Sequence, residues 1–211
     1  MYRRGRRLSK RVGLGLVACL VLAAGLFAAM TARGAGPGHK IEFEMVRSAG
    51  AVGAGCLPDA QGRVEVASKG PVQVMKVKLS GMPADTDFAL FVIQVPNGPF
   101  GISWYQGDIE TNADGRGEGK FVGIFSDETF AFALGTTAAP TPHAQDASSN
   151  PQTPPVHTYH LGLWFDSPAG ATAAGCPGAT TPFNGDHTAG VQAMSTRNFP
   201  SLEGPLQQLS G

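Results

Sequence analysis

The side chains best suited to metal chemistry are those of His160, His187 and Asp186. Imidazole nitrogens and carboxylate oxygens are common ligands of zinc and copper. His157 and His160 are three apart in the stretch HTYHLGLWFD, but its alternating apolar residues predict a strand, which points the two rings to opposite faces. A metal carrier or metal-dependent enzyme therefore requires the fold to bring His160, His187 and Asp186 together, and we keep this function as an alternative.

The stretch ETNADG offers a second kind of ligand set, with side-chain oxygens on Glu110, Asn112 and Asp114. Such alternate spacing resembles the first half of a calcium loop, but the twelfth position, where a bidentate Glu belongs, is Phe121. The dipeptide Asp-Gly is also the usual signal of a tight hairpin turn. The sequence favours the turn, a calcium-stabilised structural domain remains the alternative, and no cofactor is predicted.

The two tryptophans have polar neighbours suited to a sugar. A pyranose stacks its apolar face on an aromatic ring while neighbouring polar groups bind its hydroxyls. If both segments are regular strands, each tryptophan shares its face with hydrogen-bonding side chains. The predicted contact residues are Trp104, Gln106, Asp108, His160, Trp164 and Asp166. The competing interpretation is that both indoles cover the sandwich and are buried beneath the long proline-rich loop.

Catalysis has no support from motifs. The chain contains no G-x-S-x-G, no H-E-x-x-H and no P-loop, and its match to G-x-G-x-x-A, GLGLVA, lies inside the first apolar run. We therefore assign no catalytic residue, and the sequence favours a protein that is not an enzyme.

The elements that must position these residues are strands. KIEFEMV and VQVMKVKL alternate apolar and polar residues, whereas FALFVIQV is apolar throughout, as in a central strand covered on both sides. Eight or nine such segments with turns between them predict an all-β fold, an antiparallel β-sandwich that is immunoglobulin-like in outline. One short helix is predicted near 167–175, with Ser167 as its N-cap. A proline-rich excursion is predicted at 135–155.

The N-terminus reads as an export signal. Six basic residues in the first eleven precede the apolar run VGLGLVACLVLAAGLFAAM. We predict a signal or membrane anchor at 1–32, a flexible leader at 33–39, one domain at 40–200 and a tail at 201–211. Cys19 in LVAC gives lipidation as a further alternative. The predicted location is secreted or anchored on the outer side of the cytoplasmic membrane.

Charge and cysteine content narrow the choice of partners. Beyond residue 32 there are ten basic and sixteen acidic residues, a formal charge of about −6. Such a domain is a poor match for nucleic acid, and we expect membrane contact only through the N-terminal segment. Cys56 and Cys176 are the two cysteines beyond the signal, and export predicts a disulfide between them. Two buried free thiols are the alternative.

Three stretches carry a resemblance: PFGISWYQGDIET, YHLGLWFDSP and TPFNGDHTAGVQ. They resemble segments of exported β-domain proteins of Gram-positive bacteria, over most of the chain that follows the signal. The resemblance implies secretion and carries no activity. Together these observations predict a non-catalytic binding or structural module at the cell envelope, with a protein or a glycan as its partner.

Overall fold

The computed structural model describes residues 39–101, 103–125, 157–178, 181–183 and 187–209. These residues form an antiparallel all-β fold, which confirms the predicted fold class. The main sheet has eight strands: β1 Lys40–Arg47, β2 Gln61–Lys69, β3 Val72–Ser80, β4 Asp87–Ile93, β5 Ser103–Glu110, β6 Gly117–Gly123, β7 His160–Phe165 and β10 Gln192–Ser195. A separate two-stranded ribbon consists of β8 Thr181–Phe183 and β9 His187–Ala189. The predicted export segment and the excursion at 135–155 lie outside the described residues.

The main sheet is barrel-like. Its strand order is β5-β4-β7-β10-β1-β2-β3-β6, so the hairpin partners β5 and β6 lie at its two ends and meet as the sheet curves. The sheet divides into two half-sheets, one of β1, β2, β3 and β6 and the other of β4, β5, β7 and β10. Only two residue pairs, Val46 with Ser195 and Arg47 with Met194, join β1 to β10. The two half-sheets pack face to face like the layers of a sandwich, although their strands belong to one continuous sheet.

The core between the half-sheets follows the alternation in the sequence. Ile41, Phe43 and Met45 of β1 are buried, as every second residue of a half-covered strand must be. The alternation in VQVMKVKL and HTYHLGLWFD likewise gives β3 and β7 an inner face whose apolar side chains are buried in the core. The buried residues of those two faces are Met75, Val77, Leu79, Leu161, Leu163 and Phe165. Each such side chain contributes about 1.5–3 kcal/mol by leaving water.

A second apolar layer covers the outer side of β4 and β7. Phe91, Ile93 and Trp164 are buried there together with Ala189 of β9, and Phe100 packs on them from the segment after β4. This layer explains why β4 is buried along almost its whole length, as its apolar sequence predicts. The outer face of this half-sheet is therefore not a free surface in this region.

Two short helices follow the two strands that pair with β10. Helix α1, Ala49–Gly53, comes directly after β1, and helix α2, Pro168–Ala173, comes after β7. Each begins at a serine, Ser48 or Ser167, whose hydroxyl oxygen accepts a hydrogen bond from a backbone N–H of the first turn. The helix predicted near 167–175 and its N-cap are thus confirmed.

A disulfide joins the ends of these two helical turns. Cys56 and Cys176 are bonded with an S–S distance of 2.03 Å and a Cα–Cα distance of 5.4 Å, as the sequence predicts. Both residues are buried. Because β1 and β7 both lie beside β10, the bond fixes the two strand–helix units on either side of the last strand.

The segment after β10 returns to the core. A short 3₁₀ helix, Pro205–Leu209, buries Leu206 and Leu209, and the Leu206 N–H donates to the Tyr159 carbonyl at 3.2 Å. Part of the segment that the sequence assigns to a tail is therefore packed against the domain. Within the described ranges, none of the helices is both long and apolar enough to cross a membrane.

Candidate functional site

The adjacent aromatics Trp104 and Tyr105 lie on opposite faces of β5. Trp104 is paired with Val92 of β4, which faces the main core, whereas Tyr105 is paired with Phe91, which faces outward. The Trp104 side chain is nevertheless 50% exposed, because β5 is the end strand of the sheet. Tyr105 is also exposed, at 41%, so both rings of the pair are accessible, one on each face of β5.

A β-bulge at Gln106 separates Asp108 from Trp104. The pairing with β4 shifts by one residue between Leu90 and Phe91, and beyond this point Asp108 lies opposite Ala89 on the outer face. The prediction that Trp104, Gln106 and Asp108 share one regular face is therefore wrong.

Asp108 instead accepts a hydrogen bond from the Tyr105 hydroxyl. Desolvation, together with this hydrogen bond and the charges of Asp108 and Asp166, raises the pKa of Tyr105 to about 12. The ring of Tyr105 also contacts that of Phe91, with 5.4 Å between the centroids. The predicted residues Asp108 and Asp166 thus lie near Tyr105, on the side of the sheet opposite to Trp104.

Trp164 is part of the second apolar layer and is only 1% exposed. It lies opposite Ala89 of β4 and makes edge-to-face contacts with Phe91 and Phe100, at centroid distances of 5.6 and 4.8 Å. Its predicted role as a sugar-stacking residue is wrong, because the segment after β4 covers the ring. The two indoles therefore do not form one surface.

His160 is fully buried and has a structural role. Its Nε2 lies 3.0 Å from the Pro200 carbonyl, to which it donates, and its Nδ1 lies 2.9 Å from the Thr196 hydroxyl, from which it accepts. Burial lowers the pKa of His160, so the neutral ring is favoured. The predicted ligand contact through His160 is wrong, because both nitrogens are used within the fold.

The predicted zinc or copper set is not assembled by the described residues. His160 is occupied as above, Asp186 lies outside the described ranges, and only the backbone of His187 is described. In the part of the chain that the structure describes, no group of three or more His, Cys, Asp or Glu side chains is placed to hold a metal.

The ETNADG stretch forms the hairpin turn that the sequence favours. The Asn112 side-chain oxygen accepts hydrogen bonds from the N–H groups of Asp114 and Arg116, at 3.1 and 3.0 Å. Gly115 has a φ of +66°, which permits the bend, and its carbonyl accepts from the Met82 N–H at 3.2 Å. The oxygen that the calcium hypothesis assigns to a cation is thus directed to the backbone of the turn itself.

The accessible apolar side chains gather where β5 and β6 diverge. Their hairpin is closed by a bridge between Thr111, directly after β5, and Gly117, the first residue of β6. Towards the other end of the strands a cleft of about 240 Å³ opens, which we call the edge cleft. Its lining residues are Val92, Trp104, Gln106, Val122, Gly123, Ile124, Phe125 and Thr158.

Phe121 marks the inner limit of the divergence between β5 and β6. Its ring lies over Gly107 and Gly119, so that a Cβ atom at either glycine would come within 2.8 Å of it. Val122 and Ile124, beyond Phe121, are 63% and 54% exposed. The sequence predicts a strand at GKFVGIF but does not reveal that it ends the sheet, so these residues were not predicted as contact residues.

A larger groove of about 1100 Å³ crosses the outer face of the first half-sheet. Its lining includes Arg63 and Lys78, which form ion pairs with Glu42 and Glu118 of neighbouring strands. The side chains of both ion pairs are solvent-exposed, as on an ordinary charged sheet surface. This groove lacks the exposed aromatic ring that distinguishes the edge cleft.

Comparison with known protein families and with curated proteins finds no match to this chain.

Proposed function

We propose that this chain is a non-catalytic binding module of the cell envelope, and that it contacts its partner at the edge cleft. The observation that carries the proposal is the exposed apolar cluster of Trp104, Val122 and Ile124. Exposed apolar side chains that are contiguous mark interaction sites in soluble proteins. The partner is a protein segment or a glycan, and the N-terminal sequence supports delivery of the domain across the membrane.

The absence of a catalytic role rests on the chemistry of the candidate residues. Burial favours the neutral form of His160, whose two ring nitrogens are both hydrogen-bonded within the fold, and the Asp108 carboxylate accepts a hydrogen bond from Tyr105. The edge cleft itself contributes an amide from Gln106 and a hydroxyl from Thr158. The lining of the cleft includes no His, Cys, Asp or Glu side chain, so no general base there activates the Thr158 hydroxyl as a nucleophile.

The test is a binding screen of the full-length chain on two arrays, one of cell-wall polysaccharides and one of short peptides. We expect at least one ligand whose affinity falls about tenfold or more in Trp104→Ala, since an exposed aromatic anchor dominates such contacts. Leu202→Ala is the matched control, because Leu202 is 73% exposed and is not part of the edge cleft. The proposal would be refuted if the chain binds no ligand on either array, or if the wild type and Trp104→Ala bind equally well.

A further inference from the structure

The two helical turns that carry Cys56 and Cys176 have nearly the same sequence. AGAVGAGC at 49–56 and AGATAAGC at 169–176 agree at six of eight positions, counted from the cysteine. We call them the cysteine turns. The strands before them do not repeat in this way, because β1 alternates exposed and buried residues whereas β7 is buried throughout. The likeness is therefore confined to the turns and their cysteines.

Each cysteine turn holds its cysteine by the same hydrogen bonds. The cysteine N–H donates to the carbonyl five residues earlier, and the N–H of the preceding glycine donates to the carbonyl three residues before that glycine. The four pairs are Cys56 with Ala51, Gly55 with Val52, Cys176 with Ala171, and Gly175 with Thr172, at 2.8–3.1 Å. Both glycines have a positive φ, +68° and +72°, as in the Schellman motif that ends many helices. All four bonds lie within one turn or the other, so each turn orients its own cysteine.

The disulfide links the unit of β1 to the unit of β7 and so spans the junction between β1 and β10, which we call the seam. The seam has two residue pairs, β10 and β7 have three, and the other junctions of the main sheet have six to nine. The described hydrogen bonds that add to the seam come from the Ser48 N–H and hydroxyl and from the side chains of Arg197 and Asn198, which donate to backbone carbonyls across it. The last two are exposed to water. The seam is thus the junction of the sheet that depends most on its covalent link.

Most of the core lies between the faces of the half-sheets and does not depend on the seam. Phe43 and Val64 of the first half-sheet belong to one buried cluster with Leu90 and Leu163 of the second. The pairing of β10 with β7 is also independent of β1. Opening of the seam is therefore a local event, distinct from unfolding of the whole domain.

We infer that the Cys56–Cys176 pair is a redox switch that controls closure of the seam. In the dithiol form both half-sheets are folded and packed but β1 is parted from β10, and in the disulfide form the seam is closed. Because each cysteine turn orients its own cysteine, oxidation requires only that the two turns meet. This inference concerns a part of the sheet away from the edge cleft and does not rest on the proposed function.

The closing step is a thiol–disulfide exchange with an external disulfide, of the kind carried by glutathione or by a dithiol oxidoreductase. The thiolate of one cysteine attacks that disulfide, and the other cysteine then displaces the external thiol from the mixed disulfide. The external disulfide becomes two thiols, because it takes up the two electrons and two protons that the cysteines lose. The export predicted from the N-terminal sequence moves the chain into a compartment that favours this exchange. Both cysteines are buried in the closed form, which protects the bond from reduction.

The test measures backbone hydrogen exchange of the full-length chain after refolding from urea, once with dithiothreitol and once with oxidised glutathione. In the reduced chain we expect the amides of 46–48 to exchange about tenfold faster, because the Ser48 N–H loses the Ala193 carbonyl to which it donates at 2.9 Å. The amides of 62–67 and 74–79, in β2 and β3, should exchange alike in both forms. Equal exchange of 46–48 in both forms overturns the inference, and so does loss of protection in all three ranges together, which would mean that the bond holds the whole domain.

Replacing both Cys56 and Cys176 by Ala gives a variant that cannot respond through this pair. We expect its amides at 46–48 to exchange rapidly under both refolding conditions. Cys19 is still present in this variant, so a remaining response to the redox conditions would belong to Cys19 and would contradict the assignment to the pair.

Gly55→Ala and Gly53→Ala test whether the turn positions its cysteine. The added Cβ meets no atom within 4 Å at either position, but only Gly55 has a positive φ. We expect Gly55→Ala to slow oxidation of the refolded, reduced chain by glutathione about fivefold, because the left-handed conformation that directs Cys56 becomes strained. Gly53→Ala should oxidise at the rate of the wild type. Equal rates in the two variants contradict the role of the cysteine turn.

Discussion

Truncating each tryptophan in turn tests the central assignment, which places Trp164 inside the second apolar layer and Trp104 at the sheet edge. A tryptophan side chain buries roughly 150–250 Å². At about 25 cal/mol per Å² the transfer free energy is about 4–6 kcal/mol, which is an upper estimate because unfolded chains bury part of the same surface. With the cavity left among Phe91 and Phe100, we expect Trp164→Ala to lower the free energy of unfolding by about 3–5 kcal/mol.

Trp104→Ala is the matched variant with the same loss of atoms. Half of the Trp104 side chain is already exposed, and the truncated site opens to solvent, so no enclosed cavity forms. We expect a loss of about 1 kcal/mol or less from this change. Urea unfolding of the two variants and the wild type, followed by circular dichroism, gives the three free energies under one condition.

Fluorescence provides an independent reading, because the chain has two tryptophans and each variant retains one. In the Trp104→Ala variant the remaining tryptophan is the buried Trp164, whose fluorescence we expect to resist quenching by iodide. In the Trp164→Ala variant the remaining tryptophan is the exposed Trp104, whose fluorescence we expect to be quenched readily. Equal quenching in the two variants, or a larger destabilisation from Trp104→Ala, would refute the assignment of the two faces.

Three further predictions concern stability, each measured by urea unfolding. Replacing Cys56 and Cys176 by Ala should cost about 4–5 kcal/mol, because the bond closes a span of 120 residues in the unfolded chain; a loss below about 1 kcal/mol contradicts this. Buried neutral His160 takes up its proton less readily than in the unfolded chain, so stability should fall below its ordinary pKa of 6.5, by at most about 1.4 kcal/mol per pH unit. His160→Gln should be less stable at neutral pH and should lose less on acidification; an unchanged acid slope counts against this. Gly107→Ala should cost about 1–3 kcal/mol, since its Cβ would meet the Phe121 ring at a φ of +147°; wild-type stability would show that the ring yields freely.

Much of the fold could be predicted because period-two patterning reports which side of a strand is apolar. The inner faces of β1, β3 and β7 follow directly from their alternation. The continuous apolar run of β4 likewise predicts burial on both sides. The N-cap at Ser167 could be predicted because the capping serine and the following proline lie next to each other in the sequence.

The candidate site was predicted less well, for two physical reasons. A single bulge at Gln106 reverses the faces of all later residues in β5, and its local sign in the sequence is Gly107, an isolated glycine inside a strand, from which the prediction did not infer a bulge. Alternation also identifies an outer face without showing whether another segment covers it. Trp164 and His160 are outward on β7 by pattern, yet Phe100 and the Pro200 carbonyl cover them from distant parts of the chain.

The position of Trp104 illustrates the remaining limit. Its exposure follows from β5 being the end strand, and strand order is determined by pairings between residues far apart in the sequence. The same long-range pairing places Val122 and Ile124 across the cleft from it. Neighbours in the sequence carry no information on this arrangement.

The location of β10 has a consequence for the order in which the domain is completed. A ribosome releases β1 first, yet the strand that fills the gap between β1 and β7 is the last one made. A nascent chain that stops before Gln192 lacks the strand that pairs with both β1 and β7, and its half-sheets meet only where β5 and β6 approach each other. Closure of the sheet must therefore wait for the C-terminal segment, and such dependence on contacts between chain ends is typical of slow folding. Until then Cys56 and Cys176 belong to halves that are not yet joined edge to edge, so the last strand determines when their bond can become a permanent part of the structure.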